Sequence, residues 1–99
     1  MRPLLLAGLL LLLSACNREP RTLQAHGVIL DLKAVSITRS ESLVLRSDDG
    51  TTYTFNTTLI DPTGGFDASH LRQHMAFGQP VTIYYEQRDS ALVATKITD

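Results

Sequence analysis

The chain has 99 residues, nine Lys+Arg against ten Asp+Glu, a formal net charge of −1 and a single cysteine. A near-neutral balance excludes the basic footprint that nucleic acid selects and a polybasic membrane patch, and one cysteine excludes an internal disulfide. The length suits one small domain, with no internal repeat and no low-complexity stretch after the first segment.

That first segment is apolar. Met1-Arg2 is a short basic start, and Leu4 to Leu13 is leucine throughout except for Ala7 and Gly8. A run of about ten apolar residues matches the 7–15 of a signal-peptide core. It is too short to span a bilayer as a helix, which takes about 20. The small residues Ser14 and Ala15 then precede Cys16.

Leu13-Ser14-Ala15-Cys16 resembles the lipobox of bacterial lipoproteins, Leu-[Ala/Ser]-[Gly/Ala]-Cys, and departs from it at no position. The resemblance covers residues 1–16. It implies that diacylglycerol is attached to the Cys16 sulfur, that signal peptidase II cuts before Cys16, and that the new amino group is acylated. Two or more acyl chains anchor stably where one does not. The expected organisation is a signal peptide over 1–15, a lipidated cysteine and tether over 16–23, and a folded domain over 24–99. Removing Arg2 with the signal leaves eight basic against ten acidic side chains, a sum of −2. Asn17 follows the cysteine where aspartate would favour inner-membrane retention in enteric bacteria. The expected address is therefore the cell envelope, on the outer membrane of a diderm.

The polar stretch from Asn17 to Leu23 contains Pro20 and reaches about 25 Å when extended, at ~3.3–3.6 Å per residue, which holds the domain near the membrane. Gln24 to Ser36 reads as one long strand, with Val28, Leu30 and Leu32 alternating with Ile29, Asp31 and Lys33, the period of a half-buried strand. Gly27 is the expected bend or bulge. Leu43-Val44-Leu45 opens a second strand, Asp48-Asp49-Gly50 turns, and Thr51 to Asn56 makes a third with Tyr53 and Phe55 on one face.

A loop from Thr57 to Asp67 follows, then a helix predicted over Ala68 to Phe77. Asp67 or Ser69 caps its start, Leu71 and Met75 share one face, and Gly78 with Pro80 ends it. Val81 to Glu86 is the fourth strand, with Val81, Ile83 and Tyr85 on one side. Arg88-Asp89-Ser90 turns into a fifth strand from Ala91 to Thr98. This order predicts a mainly β domain, a small five-stranded OB-like barrel with one short helix between strands 3 and 4. A β-sandwich or an open α+β sheet is the competing architecture. The stretch from Gly78 through Glu86 to Lys96-Ile97 is also similar to small secreted OB-like domains.

Chemistry is sparse. His70 and His74 are four apart and share a helix face, so they can chelate Zn²⁺ or Cu²⁺, with Met75 as a soft ligand. The competing expectation is a polar rim flanking the Leu71–Met75 stripe, with both histidines behaving as surface residues. The methionine-rich strand sites of periplasmic OB-fold copper chaperones are absent, because Met75 is the only methionine after Cys16. Tyr53, Phe55, Tyr84 and Tyr85 could stack bases or sugars if exposed, and alternation puts one of Tyr84 and Tyr85 inside.

A nucleophile with its base and orienting group is not found: Cys16 is taken by lipid and no serine sits in an elbow. The sequence therefore predicts no enzyme and no cofactor. It predicts a monomeric, membrane-anchored binding or interaction module with an envelope protein as possible partner. The alternative is an envelope metal-binding lipoprotein using His70 and His74.

Overall fold

A computed structural model describes residues 22–99. The expected signal peptide and lipidation site, Cys16, and most of the expected tether lie outside the described residues. Five strands form a closed barrel: β1 (Leu23–Ala34), β2 (Ser40–Ser47), β3 (Thr52–Asn56), β4 (Val81–Arg88) and β5 (Ala91–Thr98). Around the barrel they run β1-β2-β3-β5-β4, and β4 pairs with β1 to close it. All pairs are antiparallel except β3–β5, which is parallel and short, matching only Phe55 with Leu92 and Asn56 with Val93. This is the OB-type arrangement expected from the element order, and closure excludes the open sheet and the sandwich. The single α-helix among the described residues, α1 (Ala68–Phe77), sits between β3 and β4. None of the described helices is long and apolar enough to cross a membrane.

The first strand serves two neighbours. Leu23 to Gly27 pairs with β4, and Gly27 to Ala34 pairs with β2. Gly27 stands at the handover, where a Cβ would lie 2.0 Å from the Arg46 carbonyl oxygen, so only glycine fits the close approach of β2. The irregularity predicted at Gly27 lies further on. The register with β2 jumps between Ile29 and Asp31, and Leu30 is the extra residue of a bulge. Ahead of the bulge the inward residues are Ala25, Gly27 and Ile29, and Leu30 is 45% exposed, the reverse of the simple period-2 reading; the bulge then moves the alternation by one position. Leu32 recovers the inward face and packs against the core.

Elsewhere the alternation holds. Val81, Ile83 and Tyr85 of β4 are buried, with Leu43 and Leu45 of β2 and Phe55 of β3. The rings of Tyr53, Phe55 and Tyr85 form one cluster, with centroids 4.9 Å apart for Phe55–Tyr85 and 5.7 Å for Tyr53–Phe55, within the range of favourable aromatic pairs. Tyr84 points outward under Lys96 Nζ, 5.5 Å from the ring centroid. The β2–β3 turn has Gly50 at φ +90°. There Asp49 accepts from Ser47 Oγ and from the Thr51 N–H, and these bonds hold its carboxyl below the usual carboxylate range.

The helix begins and ends where its sequence says. Asp67 Oδ1 accepts from the His70 N–H at 2.8 Å, occupying one of the donors left free at a helix start. Gly78 adopts φ +64° and the Gln79 N–H returns to the His74 carbonyl at 2.9 Å, the left-handed stop that glycine makes easy. Ala68 and Leu71 are wholly buried. The Ala68 N–H bonds the Thr38 carbonyl at 3.0 Å, tying the helix start to the β1–β2 loop.

Candidate metal centre

Three donor side chains, two from α1 and one from the residue that follows β5, converge beside the helix. His70 and His74 are brought together by the helix itself, since residues four apart lie one above the other. Their Nε2 atoms are 3.2 Å apart. The third donor comes from the far end of the chain. β5 finishes beside the start of β4, with Thr98 paired to Thr82, and β4 starts directly after the Gly78 stop of α1. That register delivers Asp99 to the helix, with Oδ2 3.6 Å from His74 Nε2. Among the described residues, one ligand atom from each of His70, His74 and Asp99 lies within 4.8 Å of the other two.

The backbone decides which ring nitrogen faces the cluster. His70 Nδ1 lies 2.5 Å from the Gly65 carbonyl oxygen, and His74 Nδ1 lies 3.3 Å from the Gln79 carbonyl oxygen. A carbonyl can only accept, so both Nδ1 atoms donate and the hydrogens are committed on that side. Both Nε2 lone pairs are left pointing into the same space. Two bare lone pairs at this separation repel, and a proton or a cation between them makes the arrangement favourable. Histidines that ligate metals characteristically give their other N–H to a carbonyl or carboxylate, which fixes tautomer and ring orientation.

The spacing also fits an ion. Metal–nitrogen bonds of 2.0–2.1 Å at a tetrahedral angle place two nitrogens about 3.3–3.4 Å apart. The observed 3.2 Å between imidazoles and 3.6 Å from imidazole to carboxylate bracket that value.

The walls are partly apolar. Asp61 accepts from Thr63 N at 2.9 Å and starts a 3₁₀ turn over Pro62–Gly64, and Gly65 at φ +100° then swings Phe66 back over the helix. The Phe66 ring stacks on His70 at 4.6 Å and 11°, and lies 5.8 Å from the His74 ring. The Asp99 side chain is 59% exposed, whereas that of His74 is 7% exposed.

The expectation that both histidines behave as surface residues is therefore corrected for His74. Its ring lies on the same inner side of α1 as Ala68 and Leu71, under Phe66. Met75 is half-buried against the barrel core. Asp99 was missed by sequence reasoning. No spacing pattern links it to the histidines, and only the β4–β5 register carries it there. Another pair was also missed, His26 Nδ1 donating to Asp48 Oδ2 at 2.7 Å. Both members are exposed on the barrel surface, and no third His, Cys, Asp or Glu among the described residues joins them. No protein-family model matches the chain, and no curated protein or solved structure matches it either.

Proposed function

We propose that this chain is a lipid-anchored protein of the bacterial cell envelope whose OB-like barrel holds a divalent transition-metal ion at His70, His74 and Asp99. The observation that carries the metal reading is the placement of both Nδ1 atoms against the Gly65 and Gln79 carbonyl oxygens, with the two Nε2 atoms 3.2 Å apart on the other side. Two imidazoles and a carboxylate without thiolate suit Zn²⁺, Cu²⁺ or Ni²⁺. The anchor rests on Leu13-Ser14-Ala15-Cys16. With only six residues between Cys16 and β1, Asn17 to Thr22, the barrel would begin close to the membrane, within about 20 Å of extended chain. Of the two expectations from sequence, the donor set favours the alternative, a metal-binding envelope lipoprotein using His70 and His74, over the interaction module.

Titration calorimetry of the full chain in detergent tests the metal. One Zn²⁺ per chain is expected, with binding lost in the His70→Ala/His74→Ala double variant and weakened in Asp99→Asn. Equal Zn²⁺ binding by wild type and double variant would remove the reading. Metabolic palmitate labelling tests the anchor separately, and label is expected on the wild type and absent from Cys16→Ser.

A further inference from the structure

His70, His74 and Asp99 supply three donors, and no fourth His, Cys, Asp or Glu among the described residues joins them. Structural zinc sites are closed by four protein ligands, whereas three protein ligands leave one position to water or an incoming molecule. Two members of the site's surroundings, Phe66 and Asp99, also line a groove of about 400 Å³ between the loop before α1 and the last residues of β5. Ile60, Asp61, Gly64 and Ile97 line the same groove. Its size lies within the range of small-molecule sites.

Resting on the metal reading above, we infer that the bound ion takes its remaining donor from outside the chain, and that this donor is the carboxylate of a small molecule with an apolar body lying in the groove. Charge selects the carboxylate. A divalent ion with two neutral imidazoles and one aspartate keeps a net positive charge, which an anionic oxygen donor neutralises. Shape and surface select the apolar body. The half-buried Phe66 ring presents apolar surface beside the histidines, and Ile60 and Ile97, largely covered, back the groove behind it. An aromatic or branched aliphatic carboxylate covers that surface while its oxygen reaches the metal. Burial of apolar area adds to affinity, so the apolar carboxylate outcompetes acetate at the same ion.

Cobalt(II) makes the site visible, because its d–d bands report coordination number and donor set. The full chain in detergent is loaded with Co²⁺ and titrated with benzoate and, separately, with acetate. A saturable band shift is expected with both, at a lower concentration for benzoate. Phe66→Ala, checked for folding by circular dichroism and compared with the wild type at Co²⁺ saturation of each protein, is expected to lose the benzoate preference. The wild-type comparison of the two acids needs no variant, so it stands even if Phe66→Ala does not fold. Bound Co²⁺ whose bands ignore both acids would leave the metal reading intact and overturn the open position. Bands that respond equally to both acids would overturn the role of the groove. Absence of Co²⁺ bands would overturn the metal reading itself, and this inference with it.

Discussion

His70 and His74 have the same side chain, the same helix and the same neighbour, yet they carry different energetic weight. His74 is 5% exposed, its Nδ1 faces the Gln79 carbonyl, and Phe66 lies over it. His70 is half-exposed on the rim, stacked on Phe66 and bonded to Gly65. Removing a buried ring leaves both a void and an unpaired carbonyl. With chelator present, His74→Ala is therefore expected to lower stability by about 1–3 kcal/mol and His70→Ala by clearly less. Urea melts of the two single variants check this, and equal midpoints would mean that His74 is not the packed member. Added Zn²⁺ should raise the wild-type midpoint, since a ligand that binds only the folded state stabilises it, and should leave both variants nearly unmoved.

Among the elements, α1 does two jobs with two faces of one short segment. Its buried side, Ala68, Leu71 and His74, faces the barrel, and His70 stands at the rim, where the pair of histidines meets Asp99 just after β5. Ten residues are too few for a helix to persist alone in water, so the Asp67 cap, the Gly78 stop and the Leu71 contact hold it together. Leu71→Ala is expected to cost about 2–5 kcal/mol, the usual range for a buried leucine. Asp67→Ala is expected to cost about 0.5–2 kcal/mol through the lost bond to the His70 N–H. Because Asp67 holds the backbone of His70, the Asp67→Ala chain should also bind Zn²⁺ more weakly than its residual stability alone would give. Calorimetry at a temperature where both proteins are fully folded separates the two effects.

At the scale of the whole molecule, the barrel holds its two sides together through one aromatic cluster, with Tyr85 of β4 against Phe55 and Tyr53 of β3. Burial, and secondarily the neighbouring Tyr53, raises the Tyr85 hydroxyl above the ordinary tyrosine value of 10.0. Folding thus favours the neutral phenol. This contribution is fully present below pH about 10 and is lost as pH climbs through the raised folded-state value. Wild type should therefore lose stability faster than Tyr85→Phe between neutral and strongly alkaline pH, as read from urea midpoints across that range. Parallel alkaline losses in the two proteins would mean that Tyr85 ionises without disturbing the barrel.

The sequence by itself determined what depends on near neighbours along the chain. The helix limits at Ala68 and Phe77, a cap at Asp67 or Ser69 (the structure uses Asp67), the left-handed stop at Gly78 and the inward face of β4 follow from side-chain period and from caps within one turn. These are interactions between residues two to four positions apart. The His70–His74 pair was legible for the same reason. The tertiary structure alone decided what depends on register. The Leu30 bulge exists because β1 must leave β4 and follow β2 around a closed barrel, and nothing in a period-2 pattern marks where that slip falls. The burial of His74 was decided by Phe66, which Gly65 turns over the helix. Asp99 joined the histidines only because β5 pairs with β4 so that Thr98 meets Thr82 beside the end of α1. A donor set assembled by strand pairing has no local spacing to read, since hydrogen bonds between distant strands, rather than any helical or strand period, fix which residues meet.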